Sequence, residues 1–174
     1  MNLNEKELVI NAKDGDKNAF SELYTIYKDK LYRYAFYRLC DEQDAEDAVS
    51  DCVISAYRQI EHLKKPDAFS AWLFRILYCS CNAQIKARMA RRNMADINDL
   101  SETLTCDIED TIDKTELQEA LGILKDDEKD IVLLSVVSGL SSAEIAKMTD
   151  LTSGSVRSKL SRSLKKMREF LERK

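Results

Sequence analysis

Apolar residues recur along this chain at helical spacing. Phe20, Leu23, Tyr24, Tyr27 and Leu31 form one stripe, and Ala45, Ala48, Val49, Cys52, Val53, Ala56, Tyr57 and Ile60 form a second. A third runs through Phe69, Trp72, Leu73, Ile76, Leu77 and Ser80 to Ala83. Residues three, four and seven apart share a helix face, so each stripe predicts an amphipathic helix with one buried side. His62-Leu63-Lys64-Lys65-Pro66-Asp67 interrupts the pattern as a short loop, with Pro66 or Asp67 marking the next helix start. The three stripes can share one small core. From Asn93 to Asp113 the periodicity fades while Asp, Asn, Ser and Thr accumulate, which reads as an acidic linker. Helical patterning resumes at Leu117, Ala120, Leu121 and Leu124, continues from Ile131 to Val137, and stops at Gly139, a candidate C-cap.

After Gly139 the local chemistry predicts a helix-turn-helix. Ser141 followed three residues on by Glu144 is a capping box, so a helix should begin at Ser142. Ile145, Ala146 and Met148 supply its inner face, and Ala146 is small enough to let a second helix cross closely. Asp150 falls where the chain must turn, and Asp tolerates the left-handed conformation such a turn demands. Thr152 or Ser153 can cap the second helix. Along it, Val156, Leu160 and Leu164 recur at i, i+4, i+8 and are expected to point inward. Arg157, Ser158, Ser161, Arg162 and Lys165 then form the opposite face. A solvated basic face is the commoner meaning of such a stripe. The capped first helix, short turn and second stripe occur together here, which favours a helix built to enter a DNA major groove. The expected fold is all-α: two small helical domains, residues 1–92 and 114–174, joined by an acidic linker over 93–113, with the helix-turn-helix in the second.

Composition agrees with that fold and changes the view of its partners. Four Gly and one Pro in 174 residues argue for long helices and few tight turns. A net charge of −4 argues against a nucleic-acid binder only until its distribution is considered. Arg157, Lys159, Arg162, Lys165, Lys166, Arg168, Arg173 and Lys174 face only Glu169 and Glu172, and the cluster Lys86, Arg88, Arg91 and Arg92 contains no acid. Acids gather instead over Asp41 to Asp51 and Asp96 to Glu116. Segregation of this kind suits two partner surfaces, one for DNA and one for a basic protein groove.

Met1 to Asp16 lacks the apolar core of a signal peptide, and the apolar run Ile131 to Leu140 is broken by Ser135 and Ser138. A soluble, cytoplasmic chain without membrane insertion is expected. Five cysteines, Cys40, Cys52, Cys79, Cys81 and Cys106, show no zinc-ligand spacing, and His62 is the one histidine. Cys79 and Cys81 would point about 200° apart on a helix, which disfavours a metal or redox pair. Reduced thiols, no metal and no cofactor are expected.

Taken in order, several segments are similar to one known family. They are Asp44-Ala45-Glu46-Asp47-Ala48-Val49-Ser50-Asp51 with Ala56-Tyr57, then Phe69-Ser70-Ala71-Trp72-Leu73-Phe74-Arg75-Ile76. The second half adds Asp130-Ile131-Val132-Leu133-Leu134, Gly139-Leu140-Ser141, Glu144-Ile145-Ala146 and Gly154-Ser155-Val156-Arg157-Ser158-Lys159-Leu160-Ser161-Arg162. Over nearly its whole length, from about Asp16 to Leu171, the chain resembles the two-domain bacterial sigma factors of the extracytoplasmic-function group, within the sigma-70 family.

The resemblance implies a subunit that docks on core RNA polymerase, directs it to promoters and helps open the duplex. It places the helix bearing Asp44, Asp47 and Asp51 against a coiled-coil helix pair of the polymerase's largest subunit. Those carboxylates at i, i+3, i+7 share a face suited to Arg and Lys partners. It assigns the third helix and its basic end to the minus-ten element, where strands first separate. Lys64, Lys65, Arg75, Lys86, Arg88, Arg91 and Arg92 are the cations available there. Trp72, lying in the apolar stripe, is read as core. Ser155, Arg157, Ser158, Lys159, Ser161, Arg162 and Lys165 match the helix that reads the distal, minus-thirty-five element, where Arg suits guanine O6 and N7.

The acidic linker, including Asp107, Glu109 and Asp110, would thread polymerase channels by imitating nucleic acid. Many relatives are held inactive by an anti-sigma factor, so the implied partners are core polymerase, promoter DNA and such a regulator. The free chain is expected to be a monomer. Departures from the family pattern fall at Tyr78-Cys79, where relatives commonly carry Arg-Asn, at Lys125 for a frequent Pro, and at Asp150 for a frequent Gly.

Two other classes compete. A free-standing operator-binding dimer would add a dimerisation helix or ligand domain, and neither is evident. A recombinase would need a catalytic constellation, yet the sequence shows no His pair, metal-ligand cluster, phosphate-cradling Gly-rich loop or activated nucleophile. No catalysis is expected.

Overall fold

In the computed structural model, residues 3–95 and 112–173 are described, and every regular element among them is helical. The chain divides into two compact units, Met1–Ala90 and Arg91–Lys174. The expected linker overlaps the ends of two helices, and its remainder, with Asp107, Glu109, Asp110 and Cys106, lies outside the described residues.

The first unit begins with α1 (Leu3–Lys13), an element the hydrophobic pattern did not announce. Its buried edge is only Leu8, Val9 and Ala12, too short to show as a stripe. Two polar contacts pin it: Lys6 to Asp67 at 3.2 Å, and the Tyr27 hydroxyl donating to Glu5 Oε1. Burial and the Glu5 bond raise the Tyr27 pKa well above that of a free phenol. Asp16 caps α2 (Lys17–Leu39) by accepting from the Asn18 amide at 2.8 Å and the Ala19 amide at 3.3 Å. The last turns of α2 are buried all round, from Tyr34 to Leu39, which no one-sided stripe predicts.

Cys40, in a left-handed conformation at φ 53°, turns the chain, and Asp41 caps α3 (Glu42–Gln59) through the Asp44 amide at 2.8 Å. The buried face of α3 is mostly small, with Ala45, Ala48, Cys52 and Ala56, which lets α2 pack closely. The expected loop contains two short 3₁₀ turns, Ile60–His62 and Pro66–Ala68, before α4 (Phe69–Ala95). Phe69, Leu73, Phe74, Leu77 and Cys81 of α4 are buried. Edge-to-face rings close the core, with Tyr27 at 5.5 Å from Phe69 and 6.4 Å from Phe74, and Tyr34 at 6.2 Å from Phe74. Tyr24 and Tyr57, expected inside, are exposed at the edges of their stripes.

The second unit contains α5 (Ile112–Gly122), α6 (Asp126–Val136), α7 (Ser142–Thr149) and α8 (Ser153–Leu171). After α6, Gly139 adopts φ 71°, and the Leu140 amide returns to the Leu134 carbonyl at 3.1 Å. The capping box forms as expected: Ser141 N donates to Glu144 Oε2 at 2.8 Å, and Glu144 N to Ser141 Oγ at 3.3 Å. Asp150 makes the left-handed turn at φ 53°, and Thr152 caps α8 by accepting from the Ser155 amide at 3.1 Å.

One expectation for α8 is corrected. Val156 is buried and Leu160 half-buried, but Leu164 is 40% exposed, and Ser163 and Met167 are buried instead. Each i+4 step advances about 40° beyond a full turn, so a residue at i+8 has rotated off the buried line, whereas those at i+7 and i+11 remain on it.

Candidate nucleic-acid interface

The capped turn between α7 and α8 presents one face of α8 outward. Arg157, Ser158, Ser161, Arg162 and Lys165 are all exposed. Arg162 Nε donates to the Ser158 carbonyl at 3.2 Å, a bond that uses one of the five donor hydrogens of an exposed guanidinium. Ser155 is exposed, with its hydroxyl 2.9 Å from that of Thr152 at the helix start.

Lys159 does not join this row. It is half-buried on the flank of α8, with Nζ paired to Asp127 at the start of α6. Lys166 meets Glu128 at 2.7 Å on the same side. These hydrogen-bonded lysines hold the Asp127 and Glu128 carboxyls below their ordinary pKa range. The signal was legible in the spacing: Lys159 follows Val156 by three residues and therefore shares its inward-leaning side.

In the first unit, Asp47 and Asp51 are exposed on α3, and Asp47 Oδ1 accepts from Gln43 Nε2 at 3.4 Å. Asp44 is half-buried and paired with Arg88 of α4. Two residues assigned from sequence to different partners thus meet each other. Ile54, 49% exposed, extends the acidic face by one turn beyond Asp51. Sequence reasoning missed it because it sought charge there, although its place seven residues after Asp47 was visible.

Lys64, Lys65, Arg75, Lys86 and Arg91 are exposed, while the Arg92 side chain lies outside the described residues. Trp72 is half-buried instead of fully enclosed, its ring 5.9 Å from buried Phe69. Cys79 is exposed and Cys81 buried, as opposed helix faces require. Burial pushes the Cys52 thiol up to about 12, with a smaller contribution from Cys81, so it is a poor nucleophile. Among the described residues no His, Cys, Asp and Glu group could hold a metal, and no helix is long and apolar enough to cross a membrane.

Family comparison follows the same division. Sigma-70 region 2 matches residues 23–97 and Sigma-70, region 4 matches residues 114–167. The RNA polymerase sigma factor SigV of Bacillus subtilis is 31% identical, over 83% of this chain and 86% of its own length. The ECF RNA polymerase sigma-E factor of Haemophilus influenzae is 30% identical, over 99% of this chain and 95% of its own. The chain belongs to the extracytoplasmic-function group of RNA polymerase sigma factors.

Sigma factors of this kind bind core RNA polymerase and direct it to promoters for transcription initiation. The chain also spans 65% of the length of the ECF sigma factor BldN of Streptomyces coelicolor, at 26% identity over 95% of its own residues. The all-helical fold is shared with two solved sigma-factor structures at 23% identity. RpoE of Bartonella quintana, solved with the anti-sigma factor NepR, has a TM-score of 0.75 over 88% of this chain and 96% of that one. CnrH, solved with the cytosolic domain of CnrY, has a TM-score of 0.72 over 97% of each chain.

Proposed function

We propose that the two units of this sigma factor divide promoter recognition between them. The second unit lays α8 in the major groove of the minus-thirty-five element. Arg157 and Arg162 reach base edges there, while Ser155, Ser158, Ser161 and Lys165 fix the helix on the backbone. The observation that carries this reading is the exposed row from Arg157 to Lys165 on a helix whose start is set by the Asp150 turn and the Thr152 cap. Lys159 serves the unit's own packing through Asp127.

In the first unit, Asp47 and Asp51 offer carboxylates to cations of core polymerase, with Ile54 adding apolar contact and Asp44 at the edge of the same face. Lys64, Lys65, Arg75, Lys86, Arg88, Arg91 and Arg92 neutralise phosphates near the minus-ten element. The reading places the chain in the cytoplasm with polymerase and gives it no catalytic step. The stretch over 93–113 serves as an acidic tether in polymerase channels. An anti-sigma partner is supported by the complexes in which the RpoE and CnrH folds were solved.

Reconstituted transcription with core polymerase on a randomised promoter library tests the whole reading. Enrichment of two separated sequence blocks is the expected result. Gel shifts add a second check, since the free chain should bind duplex promoter weakly until core is supplied. Tight, sequence-specific binding by the free chain as a dimer would favour an operator-binding regulator instead.

A further inference from the structure

Arg88 joins three helices at one corner of the first unit. Its Nη2 donates to Asp44 Oδ2 in the first turn of α3, and its Nη1 donates to the Leu39 carbonyl at 3.3 Å, on the last residue of α2. The two charged side chains retain 24% and 25% exposure, so water screens their pairing less than it screens a rim ion pair. The Leu39 carbonyl is one of the helix-end acceptors that carry partial negative charge, which adds to the hold on the guanidinium. Past Cys81, none of residues 82–91 is buried. The corner held by Arg88 is thus one of the places where α3 and α4 are linked, the Cys52 thiol donating to the Leu73 carbonyl at 3.6 Å being another.

We propose that Arg88 is a positioning residue coupling polymerase docking to DNA binding: Asp44 holds its guanidinium in the free protein and yields it to a DNA phosphate when a polymerase cation takes Asp44. The proposal rests on reading α3 as the docking face and α4 as the single-strand surface. A half-buried guanidinium deprived of its carboxylate is costly to leave unpaired, and the nearest replacement is an anion drawn in by the neighbouring Lys86 and Arg91. Asp47 and Asp51, both exposed, remain available to polymerase in either state. The free chain thus carries one fewer active phosphate contact than the docked one.

The test titrates the full chain, without polymerase, against a labelled single-stranded oligonucleotide of mixed sequence at several salt concentrations. Each additional phosphate contact on a single strand steepens the plot of log Kobs against log salt by about 0.7. Asp44→Asn should steepen the slope by that amount, and Asp44→Asn with Arg88→Gln should return it to the wild-type value. Asp44→Ser, which also suits the first turn of a helix, provides a second route if the Asn variant fails to fold as judged by circular dichroism. An unchanged slope in a folded Asp44 variant overturns the proposal. Core-polymerase affinity of Asp47→Asn with Asp51→Asn is measured in parallel. Weakened core binding upholds the docking reading whatever the slope does. A steeper Asp44→Asn slope with unweakened core binding upholds the hold on Arg88 and overturns its link to polymerase.

Discussion

Every tryptophan and tyrosine of this chain lies at or before Tyr78, and Phe170 is the one aromatic residue beyond it. The first unit is therefore built around large rings, Tyr27, Tyr34, Phe69 and Phe74, locked edge to face. The second is closed by smaller side chains, among them Ile131, Leu134, Ile145 and Val156, and its geometry is sharpened by caps and by the Asp127–Lys159 and Glu128–Lys166 pairs. Rings bury much apolar area per side chain and resist repacking. Caps and rim ion pairs contribute less each, but they set the angle at which one helix leaves another. The acidic face of α3 thus stands on a platform of packed rings, while α8 is aimed by polar contacts that acid and salt can weaken.

The largest expected effect tests the platform. Phe74→Ala should destabilise the first unit by about 3–5 kcal/mol, because a fully buried ring between Tyr27 and Tyr34 leaves a cavity. Trp72 fluorescence follows that unfolding without interference from the second unit, which contains no tryptophan. Next, Arg162→Ala should lose about 1–3 kcal/mol of promoter discrimination with little change in stability. Competition between specific and scrambled promoters in the presence of core polymerase measures it, and equal discrimination would refute the base-reading role.

Ser141→Ala should then cost the second unit about 1 kcal/mol by removing one half of the capping box, as read by amide exchange in α7. The Asp127 and Glu128 carboxyls carry folded-state pKa values below their unfolded ones. Their contribution is fully present above the unfolded values, near pH 4, and is lost as pH falls through the lower folded values. Acid titration should therefore loosen contacts of α8 in wild type, and Lys166→Met should shrink the pH-dependent part. A pH response unchanged by Lys166→Met would remove the electrostatic half of the comparison. The smallest effect is Ser163→Ala: this buried hydroxyl has no hydrogen-bond partner among the described residues, so its removal should be neutral within about 0.5 kcal/mol or slightly stabilising by chemical denaturation.

Much of the second unit was readable because its determinants are local. Ser141 with Glu144, Asp150 and Thr152 each act within a few residues, and all of them behave as the sequence implied. Leu164 lies off the buried line because a four-residue step drifts over two turns, and Lys159, expected among the DNA-contacting residues, is half-buried and paired with Asp127. In the first unit, α1 escaped notice since three buried residues do not make a stripe, and the end of α2 is buried on every side. The residues of the acidic face and the place of Ile54 beside them were legible, but the exposure of Ile54 and the occupied state of Asp44 were not.

The sequence by itself determined the helical class, the caps, the turn at Asp150 and the row from Arg157 to Lys165, because periodicity and capping are short-range physics. Only the tertiary structure decided which charges remain available. Asp44 with Arg88 and Lys159 with Asp127 are separated by 44 and 32 residues along the chain. Nothing in local spacing encodes such pairings, because they depend on how whole helices cross and which side-chain ends the crossing brings together.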